Sequence, residues 1–444
     1  MKKTNNSGIA AQLIRFCLPL ILSGILQQLY SWADAFIVGN VEGENALAAV
    51  GSVGSVISLM TLVITGFTSG ISVLAAQNFG GKRLDTLPKI LFSFTMILGA
   101  VFTVLAAISA GIAEKLLLLL DTPAEIRKPA GEYLRIVLCG IPLLSVYNVF
   151  AAVIRGVGDS RLPFYSVLIS SLINVALDIL FVAVFSWSVS GTALATVIAQ
   201  ASMTLFIIVY GLKKHPILRK TKGSSVMDRG LLLEGLRLGL PPMVQSCITS
   251  AGNMVLQGFM NSFGTQTVAA ITTAYRVDCI ILLPVINLSS GISTVTAQKF
   301  GAGDFPGTRR VLKTGVVLMA LISVLLTVLV ITVGGPMIAL FGAGEAAVEI
   351  GKQFFLNLGM FYSVYGIAAA LRGYMEGLGD TLFASIAGIL MLFVRIICSF
   401  LFRPLWGNMV IAWAEDIAWV FLLVLLLCRT LRNMKKYAKT VKID

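Results

Sequence analysis

Twelve apolar stretches, each long enough to form a membrane-crossing helix, recur along this chain and leave few folds open to it. A helical span needs roughly 20 apolar residues to cross the hydrocarbon core. Bounded by Gly, Pro and charge, the stretches fall near 10–38, 46–76, 88–113, 133–154, 162–187, 190–212, 236–262, 267–298, 311–335, 354–372, 382–402 and 408–428. Only 12% of the 444 residues are charged and the mean hydropathy is +0.91, where a soluble domain carries roughly a quarter charged residues. A soluble globular fold is excluded. The expected class is an all-α polytopic membrane protein.

The net charge of +13 would suggest a nucleic-acid partner in a soluble chain. Here it is diluted among apolar runs, and no nucleic acid is expected. With a cytoplasmic N-terminus, the inner segments hold 25 of the 34 basic residues and the outer loops 6, so the positive-inside rule places both termini in the cytoplasm. The localisation expected is the cytoplasmic (inner) membrane, multi-pass. The start of the chain lacks the short apolar region and small-residue site of a cleaved signal. The six cysteines show no paired spacing and read as small core hydrophobes.

An internal repeat organises the chain. GISVLAAQNFG at 70–80 aligns with GISTVTAQKFG at 291–301, with seven identities in eleven positions at an offset of 221. The same offset places GVGDS at 156–160 on GLGDT at 377–381. A duplicated six-helix unit follows. Because six is even, both halves cross in the same sense, related by a pseudo-two-fold axis along the membrane normal, as in transporters made of parallel repeats. The expected organisation is an N-terminal six-helix lobe at 1–212, a basic cytoplasmic connector at 213–235, a C-terminal lobe at 236–428 and a basic tail at 429–444.

Ionisable side chains at membrane depth are costly and usually functional. Asp34 lies about five residues, or roughly 8 Å, below the outer end of the first span. Asp178 on the fifth span has Asn174 one turn away on the same face, and Thr196 on the sixth span shares a stripe with Thr192 and Gln200. All four reach similar depth in the N-terminal half and can converge in one pocket, with Gln27 and Tyr30 as further polar lining. Two neighbouring carboxylates in a low-dielectric site cannot both stay ionised cheaply. Either one carries a proton or the pair holds a cation, which is what ion coupling requires.

The duplicated twelve-span plan, Asp34 followed by FIVG at 36–39, the AQNFG and AQKFG motifs, and the GVGDS and GLGDT motifs resemble the multidrug and toxic compound extrusion family over nearly the whole chain. The resemblance implies a cation-coupling site at Asp34, Asn174, Asp178 and Thr196, and a helix bend at Pro19. It also implies secondary efflux of organic cations in exchange for H⁺ or Na⁺, with no cofactor. Some members carry carboxylates on helices seven and ten. Here those helices offer Gln245, Asn253 and Gln257, and Asn357, Tyr362 and Tyr365.

In the C-terminal half, Arg395, Glu415 and Asp416 lie at matching depth and are expected to form a structural ion pair. Arg276 and Asp278, two residues apart on the eighth span, do not share a helix face. With Gln27, Tyr30, Tyr147, Asn253, Tyr362 and Tyr365 they are candidates for lining a central cavity used in alternating access, where aromatic rings could stack on flat cations.

Other functions fit less well. The two GxGD motifs also suggest an intramembrane aspartyl protease, but Gly for a tight turn and Asp capping the next helix account for both. No HExxH, P-loop or paired His and Cys set is present, so neither a hydrolase nor an ATP-driven pump is expected. A lipid-linked sugar flippase would need several buried cations, and here five carboxylates at membrane depth face Arg276 and Arg395. A non-transporting sensor would be marked by the absence of gradient-driven flux. The partners expected are small cationic or amphipathic molecules and membrane lipids, with the protein a monomer.

Overall fold

The computed structural model describes residues 6–219, 227–340 and 344–440. Part of the expected connector, 220–226, and the last four residues of the tail lie outside the described residues. Seventeen α-helices follow one another without a strand among the described residues. They are α1 (Asn6–Val41), α2 (Glu44–Gly80), α3 (Thr86–Gly111), α4 (Ala113–Leu119), α5 (Ala124–Leu138), α6 (Ile141–Gly156), α7 (Arg161–Asp178), α8 (Ser188–Lys214) and α9 (Arg229–Asn261). Then come α10 (Thr265–Ile281), α11 (Leu283–Gly301), α12 (Phe305–Leu340), α13 (Glu345–Met360), α14 (Tyr362–Gly377), α15 (Thr381–Leu401), α16 (Arg403–Trp406) and α17 (Val410–Thr440).

Helix covers each of the twelve sequence-predicted stretches, and eleven qualify as membrane spans. Nine stretches are long and apolar enough to cross a membrane outright, and α10 with α11 and α13 with α14 qualify as pairs bent by 40° and 49°. The seventh span, α9, is too polar for that test because it carries Pro241, Pro242, Gln245, Asn253 and Gln257. The fourth span is divided at Cys139 and Gly140 into α5 and α6, with Pro142 entering the second piece where a missing N–H costs nothing.

The chain groups into two compact units, residues 22–243 and residues 1–21 with 244–444. The division falls inside α1, and the sequence explains it. Ile9, Leu13, Phe16, Cys17 and Leu20 recur at helical spacing and are buried in the same core cluster as Ile271, Val285, Ile292 and Tyr374. Cys17 Sγ packs against the bare Cα of Gly291. Pro19, within the continuous α1, removes the backbone bond to the Arg15 carbonyl.

The repeat reappears as packing. In the first unit Gly156 meets the backbone of α2, where an added Cβ would lie 3.0 Å from the Ser72 carbonyl oxygen and 2.8 Å from the Ala75 Cβ. In the second, a Cβ on Gly377 would lie 2.5 Å from the Ser293 carbonyl oxygen and 2.7 Å from the Thr296 Cβ. Ser72 and Ser293, and Ala75 and Thr296, are equivalent at the 221-residue offset. The next motif glycines, Gly158 and Gly379, both take positive φ, 97° and 87°, which a side chain would resist.

Only Cys17 is buried; Cys139, Cys279 and Cys428 are exposed, contrary to the expectation that all six are core. Cys428 sits among the exposed Val424, Leu427 and Leu431 on one face of α17. In lipid such faces need no protein partner.

Gly377→Ala should lower the stability of the detergent-purified protein by about 1–3 kcal/mol, whereas Gly51→Ala, with nothing within 4 Å of its Cβ, should be neutral or slightly stabilising. Equal thermal unfolding of the two variants would refute the close-crossing account.

Candidate functional site

The first unit carries a pair of carboxyl groups, Asp178 buried and Asp34 half-buried. On α7, Ser171, Asn174 and Asp178 recur at i, i+3 and i+7 and all face inward, Asp178 being 0% and Asn174 3% exposed. The helix changes character at Asp178, where a π-helical segment, Ile179–Val184, begins. Single π turns inside α-helices often mark functional positions. The Asp34 side chain of α1 lies close enough to that of Asp178 for the two carboxyl groups to act on each other electrostatically. Among the described residues, no N–H or O–H group reaches either oxygen of Asp178, or Oδ1 of Asp34. Two ionised carboxylates have no donor to offer each other, so a hydrogen bond between them would require a proton on one.

The surroundings are rich in unsatisfied polar atoms. Both polar atoms of the Asn174 amide, the Ser171 hydroxyl, the Thr192 hydroxyl and Gln200 Oε1 are buried without partners. Thr192 and Gln200 flank Thr196 by one turn each on α8, and Thr196 is half-buried. Ser170 ties α7 to α8 by donating to the Ala199 carbonyl at 3.0 Å. Buried polar atoms are rarely left in this condition.

Two tyrosines complete the environment. Tyr30 is within electrostatic reach of Asp34, and Tyr133 on α5 is within reach of Asp34, Asp178 and Tyr30. Tyr133 is absent from the sequence-based set because it stands at the predicted start of the fourth span, among Glu132 and Arg135. Its signal was depth: it occupies the same outer half as Asp34. Gln27, expected beside Tyr30, is exposed. Tyr147 is buried and donates to the Pro163 carbonyl at 3.4 Å, an interior contact instead of a cavity wall.

In the second unit several candidates expected at a cavity surface are interior groups. Asp278 and Tyr362 are buried and bonded to each other, the tyrosine donating. Tyr365 stacks on Trp419 with centroids 4.8 Å apart. Asn253 is exposed. Arg276 is exposed too, and with Asn261, Thr265, Thr272 and Thr273 it lines an open groove of about 530 Å³. Arg395 pairs with Glu415 at 2.9 Å, and the Tyr275 hydroxyl accepts from Arg395 at 2.6 Å while donating to Glu415 at 2.9 Å. Asp416 is outside this pair, correcting the three-residue expectation. Neighbours on a helix point about 100° apart, so Asp416 is turned into the packing with no hydrogen-bonding partner on either oxygen.

The GxGD aspartates act differently from each other. Asp159 caps α7, accepting from the Arg161 and Leu162 amides at 3.0 and 3.3 Å through Oδ1. Its Oδ2 takes Lys214 at 2.7 Å and His215 at 2.9 Å. Burial works against ionisation there, but the bonds from His215 and Lys214 outweigh it and hold the carboxyl well below the usual carboxylate range. Asp380 makes no such cap; it binds Arg429 at 2.8 Å and Asn433 at 3.2 Å on α17.

A duplicated set of long apolar helices with a carboxyl pair among them defines the class of multi-pass membrane proteins. The family model for MatE matches residues 19–180 and again 241–401, spaced as the sequence repeat is. The chain therefore belongs to the MatE family, whose members are secondary transporters and not enzymes. It is 28% identical over 398 residues to the probable multidrug resistance protein YoeA of Bacillus subtilis, covering 87% of this chain and 85% of that one. It is 22% identical over 414 residues to the multidrug export protein MepA of Staphylococcus aureus, covering 93% and 91%. A crystal structure of a MATE in the bent conformation matches with a TM-score of 0.91 at 19% identity over 99% of both chains.

Asp159→Asn should lower stability at neutral pH by about 1–3 kcal/mol, the value of a hydrogen bond to a charged group. Because folding lowers the Asp159 value, its contribution is complete above the unfolded carboxylate range, near pH 4, and is lost as the pH falls toward the folded value. The gap between variant and wild type in thermal unfolding should close only in acid; a gap absent at pH 7 would refute the assignment.

Proposed function

We propose that the protein is a multidrug efflux antiporter that exports organic cations or amphipathic compounds by alternating access, in exchange for H⁺ or Na⁺. Asp34, Asn174, Asp178 and Thr196 form the coupling site, with Thr192 and Tyr133 as neighbours. The observation that carries this reading is the Asp34 and Asp178 pair, in which both oxygens of the buried Asp178 and Oδ1 of the half-buried Asp34 have no hydrogen-bond donor. That geometry suits a shared proton and favours H⁺ over Na⁺. Entry of the ion changes the charge of the pair, and an apolar surrounding makes that change expensive enough to bias helix packing.

The names of the relatives, a probable multidrug resistance protein and a multidrug export protein, support drug-like substrates. The excess of carboxyl groups over guanidinium groups at membrane depth supports cationic ones. The distribution of Lys and Arg supports cytoplasmic termini, and the reading is of a monomer whose partners are its substrates and lipids. Pro19 is the point at which α1 bends as the pair changes charge.

The test is efflux of a fluorescent organic cation from sealed vesicles under an imposed pH or Na⁺ gradient. Wild type should respond to the pH gradient, and Asp34→Asn and Asp178→Asn should each fall to the rate seen without a gradient. Mutants as fast as wild type would remove the coupling site, and wild type driven by neither gradient would remove the function.

A further inference from the structure

The second unit contains a buried carboxyl group that the ion pair beside it does not satisfy. Asp416 on α17 is 0% exposed, and neither of its oxygens receives a hydrogen bond. Its immediate electrostatic neighbour is Glu415, and both act on Tyr362. Through Glu415 and Tyr362 it adjoins Tyr275 and Asp278 of α10 and Arg395 of α15, which bond to those two residues or to each other.

No cation is left for it among the described residues on the adjoining helices. Arg395 is taken by Glu415 at 2.9 Å. Arg372 is taken by Glu376 at 2.8 Å and by Gln245 at 2.7 Å. Lys352 faces Glu349 at 3.8 Å, both exposed. Arg403 lies over the rings of Phe259 and Phe263, and Arg429 binds Asp380. Arg276 leaves α10 about 200° away from Asp278 and is exposed.

Asp278 and Glu415, by contrast, each accept a tyrosine hydroxyl. Three carboxylates and one guanidinium in one buried region would leave two uncompensated negative charges. An isolated buried carboxylate of this kind neutralises by taking up a proton instead of remaining charged.

We propose that Asp416, enclosed beside the Glu415–Arg395 pair and the Tyr362–Asp278 pair, is a second proton-binding site, located in the second unit and separate from the Asp34 and Asp178 pair. The ligand is a proton, carried on a carboxyl oxygen of Asp416 and lost when water reaches it. Release leaves adjacent negative charges at positions 415 and 416, so the proton on Asp416 helps to hold α17 against α14 and α15. This site does not depend on the transport reading, because its occupancy can be measured with no substrate and no gradient.

The test is infrared spectroscopy of the full-length purified protein in D₂O at neutral pD, in an Asp34→Asn/Asp178→Asn background that silences the first pair. The carbonyl stretch of a protonated carboxyl should remain there, disappear in Asp416→Asn, persist in Glu415→Gln, and shift without vanishing in Asp416→Glu. Failure of the first background to show the band would overturn the proposal. So would persistence of the band in Asp416→Asn, or its loss on adding NaCl at constant pD, which would make the site one for a metal cation. Should Asp416→Asn not fold, the background protein and Asp416→Glu still decide the matter. Normal vesicle transport with no such band would refute this site alone, and the band without transport would refute the antiporter reading alone.

Discussion

The cost of an unpaired polar group in an apolar surrounding governs this protein at every scale. It forces the backbone into helices, which satisfy their own amides, and it decides which side chains at membrane depth are quiet. Arg395, Tyr275 and Glu415 close their bonds on one another. Asp34, Asn174 and Asp178 leave theirs open. The same physics therefore produces a satisfied cluster in one unit and an unsatisfied carboxyl pair in the other, and the difference lies in donors, not in the number of acids.

Duplication supplies the frame and divergence supplies the chemistry. The Gly156 and Gly377 crossings keep the same geometry because a carbonyl oxygen sits where a Cβ would have to go. At the fifth and eleventh spans, where no backbone approach is at stake, Asn174 and Asp178 correspond to Arg395 and Ser399. The aspartates of the two GxGD motifs have likewise parted, one capping a helix and the other binding across to α17.

Most of the architecture was legible in the chain because apolar length and the 221-residue repeat report directly on spans and their number. The pairing of Asp34 with Asp178 was legible from depth. Burial was not. A helix face that meets lipid and one that meets protein are equally apolar, so Cys428 was assigned with the other cysteines to a core it does not enter. Hydrogen-bond direction was hidden as well. Depth placed Glu415 and Asp416 together, and only the 100° turn between neighbours separates the paired residue from the solitary one. Tyr133 escaped because charged residues beside it blurred the start of its span.

The π-helical stretch that begins at Ile179 has a consequence for how this region can change over time. A π turn holds one residue more than an α turn, so deleting a single residue between 179 and 184 would restore an ordinary helix. Everything beyond the deletion would then be rotated by about 100° relative to Asp178. An insertion or deletion is commonly harmless in a loop, yet here one residue sets the angular phase between the carboxyl pair and the aromatic turn of Phe185 and Trp187. The segment is an indexing element, and its length is under tighter constraint than its composition.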